Sequence, residues 1–167
     1  VSLLATHDMG KKGLNNQDVL KIIKKLEASG GKVFITAERE LPEIFEPYKI
    51  NINPNDIAHA LSFAEFVISD SQTMSAESAV LGTPYIRFND FVDKISYLEE
   101  LEYKYKLGVG IKTSEKDKLF KTIETFLNFK NLKNHWQIRK NVMLNEKLDL
   151  TPFLVWLFED YSKNIEA

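Results

Sequence analysis

The sequence predicts a doubly wound α/β domain with a mainly parallel, six-stranded sheet and a helical C-terminal tail. Short apolar runs alternate with longer stretches of helical periodicity as far as Thr113, which is the pattern of βα units around a parallel sheet. After Thr113 only helical periodicity remains. A length of 167 residues is typical of one domain. We therefore assign residues 1–167 to a single domain and residues 114–167 to its helical tail.

The predicted strands are the apolar runs along the chain. They lie at residues 1–6, 32–36, 48–52, 65–69, 84–88 and 108–111. Parallel strands that are buried on both faces have this nearly continuous apolar character. We expect the strand order 3-2-1-4-5-6, in which the first strand is central.

The predicted helices fill the intervals between most of these strands. In residues 17–29, Val19, Ile22, Ile23 and Leu26 recur at helical spacing, and Gly30-Gly31 ends the pattern. Residues 55–64 place apolar side chains on one helix face, and residues 75–81 are rich in small residues that permit close packing on a sheet. The predicted tail helices are residues 115–129, 132–144 and 151–164.

The last predicted helix carries an unusually apolar cluster. Its members are Phe153, Trp156, Leu157, Phe158 and Tyr161. We expect this cluster to pack on the core of the same domain, and the alternative is a contact with another domain.

Composition excludes several classes of partner and site. The 22 Lys and Arg residues are offset by 24 Asp and Glu residues, so the basic surface of a nucleic-acid-binding protein is not expected. There is no cysteine, which excludes disulfides and thiolate chemistry and favours a reducing, cytoplasmic location. No apolar run reaches the ~18 residues of a membrane span, and no signal peptide is recognisable. The chain opens on an apolar run without Met, so we expect an N-terminal portion to precede it.

The predicted strand order places two polar loops side by side. In an open α/β sheet, ligands bind beyond the carboxyl ends of the strands, where the strand order reverses. Here that point lies between the first and fourth predicted strands. The loops that follow these strands are residues 6–13 and 69–73, and both are polar after apolar strands. This coincidence predicts a binding crevice.

The second loop has the features of a phosphate site. It leads into a helix, whose unpaired backbone N–H groups and positive dipole end attract anions. Ser71 and Thr73 add hydroxyl groups, and Glu77 lies one to two turns into the helix, where it can accept hydrogen bonds from ribose. The alternative is that Asp70, Ser71 or Thr73 only caps the helix.

Other polar residues give weaker signals. Asp56 and His59 have the spacing of a metal pair on a helix, but no third ligand is apparent, so we predict no metal site. His135 is expected at the solvated surface. Residues 89–90 follow the fifth strand near the crevice, and Arg87 either lines the crevice or forms a salt bridge at the strand end. Lys11 and Lys12 lie in an exposed turn or approach phosphates. No dinucleotide fingerprint, Walker loop or nucleophile elbow is present, and we assign no catalytic residue.

Residues 69–88, SDSQTMSAESAVLGTPYIRF, resemble the C-terminal half of bacterial UDP-N-acetylglucosamine 2-epimerases and of an uncharacterised family related to them. Both belong to the wider two-Rossmann-domain (GT-B) glycosyltransferase architecture. Those proteins carry an Asp-Ser-Gly loop, a Glu six residues after the Ser, and a Leu-Gly-x-Pro segment. Asp70-Ser71, Glu77 and residues 81–84 match these positions, and residues 6–8 resemble the Thr-His loop after the first strand of the epimerases.

The resemblance implies a Rossmann-like domain and a set of ligand contacts. Ser71 and the amides that follow it would hold a diphosphate, Glu77 would hold the ribose, and His7 would lie near the phosphates or the sugar. Gln72 and Thr73 stand where the epimerases have glycine, which allows the closest approach of a phosphate to the backbone. The implied ligand is a nucleotide-sugar substrate, expected to be UDP-linked, with no further cofactor. The implied partner is a missing N-terminal Rossmann-like domain, without which the chain would be inactive.

Two function hypotheses follow. The first is the nucleotide-sugar-binding half of a glycosyltransferase or epimerase-like enzyme, with a transferase favoured because the acid and base carboxylates of epimerisation belong mainly to the other half. The second is a non-catalytic, flavodoxin-like regulatory or interaction domain. Asp8 lacks the acidic pair and the late Lys of a response-regulator phosphoacceptor site, so a receiver domain is not expected.

Overall fold

The computed structural model describes residues 2–3, 13–37 and 40–164 and shows an α/β fold around a small parallel sheet. The sheet has five strands in the order β2-β1-β3-β4-β5, and every neighbouring pair is parallel. The strands are β1 Ser2–Leu3, β2 Thr36–Ala37, β3 Val67–Ser69, β4 Tyr85–Phe88 and β5 Gly108–Ile111. The predicted α/β class is therefore confirmed.

Helices connect the strands and form the C-terminal third of the chain. They are α1 Asn16–Ala28, α2 Ile57–Phe63, α3 Gln72–Leu81, α4 Ser96–Glu99, α5 Lys116–Asn128, α6 Leu132–Glu146 and α7 Thr151–Asn164. Helix α4 continues directly into a π-helical segment, Glu100–Lys104, and two 3₁₀ segments span Glu43–Tyr48 and Pro54–Asp56. The α4 and π-helical segment was not among the predicted elements.

The predicted sheet of six strands is not confirmed, because residues 48–52 do not form a strand. Only a single parallel bridge joins Lys49 to Ile35, with the Ile35 N–H 2.7 Å from the Tyr48 carbonyl oxygen and the Ile50 N–H 3.0 Å from the Ile35 carbonyl oxygen. Pro47 lies in the 3₁₀ segment that runs up to Tyr48. A proline has a fixed φ and no N–H, and the chain becomes extended only after this segment. The five strands that do form have the predicted neighbours.

The sheet is covered on both faces at β4. All four residues of this strand are buried, although successive side chains of a strand point to opposite faces. Helix α3 packs against β3 and β4, and helix α5 packs against β4 and β5. The core between these layers contains Ile22, Ile35, Phe45, Ile86, Phe88, Leu98, Leu107, Ile111, Leu119 and Ile123, all essentially inaccessible to solvent.

Helix α6 packs against the ends of two other helices. The Lys133 ammonium donates hydrogen bonds to the carbonyl oxygens of Ser62 and Ala64, at the end of α2. The Gln137 amide donates to the carbonyl oxygens of Leu81 and Gly82, at the end of α3, at 3.0 and 3.1 Å. These contacts satisfy carbonyl groups that a helix end leaves unpaired.

Helix α7 corrects one expectation. Phe153, Trp156 and Phe158 are 52%, 49% and 78% exposed, so packing of this cluster on the core of the domain is wrong for these residues. Helical periodicity shows which side chains share a face, but not which surface that face covers. Within the described ranges, no helix has both the length and the apolarity that crossing a membrane requires.

Candidate functional site

The sheet order reverses between β1 and β3. From β1 the chain passes to β2 on one side, and β3, β4 and β5 follow on the other side. The carboxyl ends of β1 and β3 therefore lie side by side at one edge of the sheet, and this is the edge where α/β proteins bind ligands. Residues 4–12 of the first loop lie outside the described residues, and with them the predicted site residue His7 and the candidates Asp8, Lys11 and Lys12.

Asp70 ties the end of the first loop to the second loop. Its carboxylate is buried and accepts a hydrogen bond from the Leu14 N–H, with 3.1 Å between the nitrogen and Oδ2. A Cβ on Gly13 would lie 2.5 Å from the same oxygen, so this approach requires glycine at position 13. The two loops predicted to be adjacent therefore meet at their described ends.

Ser71 is the N-cap of α3. Its hydroxyl oxygen accepts a hydrogen bond from the Met74 N–H at 3.4 Å, and its own N–H donates to the Ser69 hydroxyl at 2.9 Å. The Ser75 hydroxyl donates to the Ser71 carbonyl oxygen at 2.7 Å. Ser71 therefore caps the helix, as the alternative interpretation of this loop predicted. Its role as a phosphate ligand stays a prediction.

The first turn of α3 has backbone donors without an acceptor among the described residues. Within residues 13–37 and 40–164, the backbone N–H groups of Gln72 and Thr73 find no hydrogen-bond acceptor. The side chain of Gln72 is partly exposed, and those of Thr73 and Glu77 are exposed. Residues four apart on a helix share a face, so Thr73 and Glu77 lie on one exposed stripe of α3.

Asn89 holds the backbone of the second loop through a hydrogen bond. It is fully buried, and its side-chain amide donates a hydrogen bond to the Asp70 carbonyl oxygen at 2.8 Å. Its Oδ1 accepts hydrogen bonds from the Phe91 N–H at 3.0 Å and from Nη1 of Arg87 at 3.3 Å. Asn89, one of the candidates named after the fifth predicted strand, is thus connected to the loop.

Arg87 forms a buried ion pair and does not line the crevice. Its Nε and Nη2 lie 2.8 and 3.0 Å from the two carboxylate oxygens of Glu102, and both side chains are essentially inaccessible. The Tyr85 hydroxyl donates to Glu102 at 3.3 Å. Burial, followed by the charge of Glu102, raises the pKa of Tyr85 far above its ordinary range. The salt-bridge alternative for Arg87 is therefore correct.

Glu102 is the residue of this network that the sequence interpretation missed. It belongs to the π-helical segment, in which Leu101 is also buried, as are Leu98 of α4 before it and Tyr105 just after it. Leu101, Glu102 and Tyr105 follow Leu98 by three, four and seven residues, which is the spacing of an apolar stripe on a helix. An acidic residue at a core position of such a stripe needs a buried cation, and an arginine inside an apolar strand is the complementary signal.

The remaining candidates lie at the surface. Asp56 and His59 are exposed around the start of α2, and His135 is exposed with its ring 5.2 Å from the Phe129 ring. In the part of the chain that the structure describes, no three His, Cys, Asp or Glu side chains are grouped so that they could hold a metal ion.

Comparison of the chain with protein-family models, with curated proteins and with solved structures found no match. The resemblance of residues 69–88 to the epimerases, and the roles that it implies for Ser71, Gln72, Thr73 and Glu77, therefore stay predictions. The physical support for a site is the geometry of the two loops at the reversal of the sheet order.

Proposed function

We propose that this chain is the nucleotide-sugar-binding half of a glycosyltransferase or epimerase-like enzyme and holds a nucleoside diphosphate at residues 70–73. One observation carries the proposal: the amides of Gln72 and Thr73, without an acceptor among the described residues, open a ten-residue helix beside the reversal of the sheet order. Helix N-termini of this kind bind phosphate through backbone N–H groups and the helix dipole.

Capping by Ser71 is compatible with phosphate binding. A hydroxyl group has one donor hydrogen and two acceptor lone pairs, and capping of the Met74 N–H uses one lone pair. The hydrogen of the Ser71 hydroxyl is then available to a phosphate oxygen. Ser71 would therefore stabilise the helix and bind the ligand at once.

Glu77 is the proposed ribose ligand. It follows Thr73 by one turn on the exposed stripe of α3, which places it about 6 Å farther along the helix axis. A carboxylate accepts hydrogen bonds only, and the two hydroxyl groups of a ribose are donors that suit it.

The proposal extends to the parts of the enzyme that complete the cleft. A second Rossmann-like domain, N-terminal to this one, would supply the catalytic groups and the other wall. His7 would approach the phosphates or the sugar, residues 48–52 would take the outermost place of a Rossmann-like 3-2-1-4-5-6 sheet, and the bound nucleotide would be UDP. We also propose a cytoplasmic location, which the absence of cysteine supports.

Ligand-observed NMR with UDP tests the site. Half of a cleft should bind UDP with a Kd of about 1 mM, which corresponds to ~4 kcal/mol. We expect UDP to perturb the resonances of residues 70–77, and uridine to perturb them less. Ser71→Ala should weaken UDP binding, whereas Asn53→Ala, which removes the capping side chain of the 3₁₀ segment Pro54–Asp56, should leave binding unchanged.

A second pair of variants separates ribose binding from phosphate binding. Glu77→Ala should weaken the binding of UDP but not of inorganic pyrophosphate, because only the ribose contact is lost. The matched control is Glu65→Ala, since Glu65 is also exposed but precedes β3, at the opposite edge of the sheet. Equal losses in Glu77→Ala and Glu65→Ala would contradict the ribose role.

The departures from the glycine-rich loop give the decisive comparison. Gln72→Gly should tighten UDP binding if the Gln72 side chain obstructs the phosphate. If neither the parent chain nor Gln72→Gly binds UDP, GDP, CDP or ADP at several millimolar, the nucleotide site is wrong. The non-catalytic, flavodoxin-like regulatory or interaction domain then becomes the better hypothesis.

A further inference from the structure

Asn89 is the first residue after β4, and it lies beside the loop that follows β3. Ser69, the last residue of β3, is paired with Arg87 of β4, so Asn89 is close to the point where the two strands stop pairing. Its side-chain nitrogen lies 2.8 Å from the carbonyl oxygen of Asp70, and the residue is fully buried. A buried side chain therefore continues the contact between β3 and β4 beyond the last paired residues.

The Asp70 carbonyl group does not have the direction of a continuing strand. Backbone groups of adjacent strand residues point to opposite sides, and the Val67 N–H bonds to the β4 side. The backbone groups of Ser69, two residues on, share that side, so those of Asp70 would face β1 if the strand continued. Instead the Asp70 carbonyl is bonded to the side chain of Asn89, at the end of β4. This hydrogen bond is thus part of the turn that ends β3 and leads into α3.

The side-chain amide of Asn89 has one orientation that satisfies its neighbours. Its Oδ1 accepts hydrogen bonds from Nη1 of Arg87 at 3.3 Å and from the Phe91 N–H at 3.0 Å. A guanidinium and a backbone N–H only donate, and a carbonyl oxygen only accepts. Rotating the amide by 180° would place its NH₂ group against two donors and its oxygen against an acceptor. The NH₂ group is therefore directed to the Asp70 carbonyl.

Arg87 is oriented in turn by Glu102. Nε and Nη2 of Arg87 lie 2.8 and 3.0 Å from the two carboxylate oxygens of Glu102, and both side chains are essentially inaccessible. A bidentate pair of this kind fixes the plane of the guanidinium, and with it the Nη1 group that bonds to Asn89. Among the described residues, every buried side-chain nitrogen or oxygen atom has a hydrogen-bond partner. The hydrogen bonds from Glu102 to Asp70 thus form a continuous series with one direction.

We propose that Asn89 is a positioning residue, whose side chain holds the Asp70 carbonyl and thereby fixes the loop of residues 70–73 in one conformation. Arg87 and Glu102 act through Asn89, because they set the direction of its amide. The consequence for a ligand rests on the proposed function, whereas the fixed loop is a property of the chain alone. Fixing the loop in advance lowers the ordering cost of binding a diphosphate there.

Amide hydrogen exchange of the full chain without ligand tests the effect of Asn89→Ala on the loop. Two reporter amides are those of Leu14, which donates to the Asp70 carboxylate, and of Ser71, which directly follows the Asp70 carbonyl and donates within the same loop. The amide of Ile123, buried in the middle of α5, is the reference. The reporter amides should exchange at least about tenfold faster relative to the reference, because local opening of the loop becomes easier.

The matched control removes another fully buried donor away from the loop. The Thr83 hydroxyl lies 2.9 Å from the carbonyl oxygen of Leu61, and Thr83→Val deletes this bond with little change of shape. The reporter amides should keep their exchange rates relative to the reference in this variant. Equal patterns in Asn89→Ala and Thr83→Val would show that Asn89 only stabilises the fold, and the positioning role would be wrong.

Asn89→Asp isolates the donor, since it keeps the side-chain shape and the oxygen that accepts from Arg87. The carbon-13 shift of the introduced carboxyl group shows whether it is protonated. An ionised carboxylate cannot donate to Asp70, so the reporter amides should again exchange at least about tenfold faster than in the parent chain. A protonated carboxyl group has an O–H donor, and exchange should then stay within about threefold of the parent rate. The opposite result in either protonation state would overturn the proposal.

UDP binding separates this inference from the proposed function. Asn89→Ala should raise the Kd for UDP at least about fivefold, whereas Thr83→Val should leave it within about twofold of the parent value. If the parent chain binds no UDP, the proposed function fails, and the reporter amides still decide whether Asn89 positions the loop. If UDP binds equally well to the parent chain and to Asn89→Ala with its reporter amides exchanging faster, the loop does not need to be positioned for binding, against the proposal.

Discussion

Replacing Glu102 by Gln removes one charge of the buried network beneath the crevice and changes the side-chain volume very little. In the parent chain, the two carboxylate oxygens accept hydrogen bonds from Nε and Nη2 of Arg87 at 2.8 and 3.0 Å, and one of them also accepts from the Tyr85 hydroxyl. A glutamine supplies one acceptor oxygen and an NH₂ group, which faces a donor. The guanidinium of Arg87 would thus be left buried without its counter-charge.

The expected cost follows from the burial of both partners. Side-chain exposure is 0% for Arg87 and 2% for Glu102, and breaking a buried pair by removing one partner costs about 3–5 kcal/mol in the free energy of unfolding. In a chain of this size, 1 kcal/mol corresponds to a Tm change of about 2–4 °C. We therefore expect Glu102→Gln to lower the Tm by roughly 6–20 °C.

Urea unfolding monitored by far-UV circular dichroism measures this cost, with three comparisons. Tyr85→Phe removes one hydrogen bond to Glu102 and should cost about 1 kcal/mol. Glu124→Gln breaks the exposed pair with Lys25 and should cost less than about 1 kcal/mol. The double variant Arg87→Met/Glu102→Leu, which leaves no charge behind, should be more stable than Glu102→Gln. If Glu102→Gln costs no more than Glu124→Gln, the assignment of a dry, buried network is refuted.

Two further predictions concern close packing and a surface tyrosine. A Cβ on Gly108 would lie 2.1 Å from the Tyr85 ring, so Gly108→Ala should lower the free energy of unfolding in urea by about 3 kcal/mol. The control is Gly30→Ala, where φ is +83° but the space around the position is open. This substitution should cost about 1 kcal/mol. The hydrogen bond to Asp93 raises the pKa of Tyr103 to about 12, so its stabilising effect is complete below pH 10 and lost as the pH rises through 12. An absorbance titration should show that Asp93→Asn lowers this pKa toward 10.

The predicted strands agree with the structure where the sheet is covered on both faces. The run at residues 84–88 became β4, which is buried throughout, and its neighbours β3 and β5 also lie within predicted runs. The run at residues 48–52 is also mainly apolar, but its first residue, Tyr48, still belongs to the 3₁₀ segment that contains Pro47. Apolar composition does not reveal how far a preceding turn extends into a strand, because that depends on φ values and lost N–H donors.

The candidate site could be predicted in position but not in its supporting contacts. Polar loops after apolar strands, combined with the expected strand order, indicated where the loop that leads into Ser71 lies. The contacts of Asp70 with Leu14 and of Arg87 with Glu102 join residues 56 and 15 positions apart. Such pairs depend on the way two distant elements approach each other, which local periodicity does not contain. The burial of Glu102 could have been inferred from its helical spacing with Leu98 and Tyr105, whereas its pairing with Arg87 could not.

The buried position of the Asp70 carboxylate bears on the proposed diphosphate site at this loop. An exposed carboxylate at the start of α3 would occupy the positive end of the helix dipole itself and repel a phosphate group. In this fold Asp70 is only 3% exposed, and its carboxylate accepts a hydrogen bond from the Leu14 N–H. The side-chain amide of Asn89 donates a hydrogen bond to the carbonyl oxygen of Asp70. The carboxylate thus binds the described end of the first loop. The amides of Gln72 and Thr73 at the helix end are left without an acceptor among the described residues. Because Asn89 also accepts a hydrogen bond from Arg87, the loop is held in place without a ligand, which would lower the ordering cost of the proposed binding.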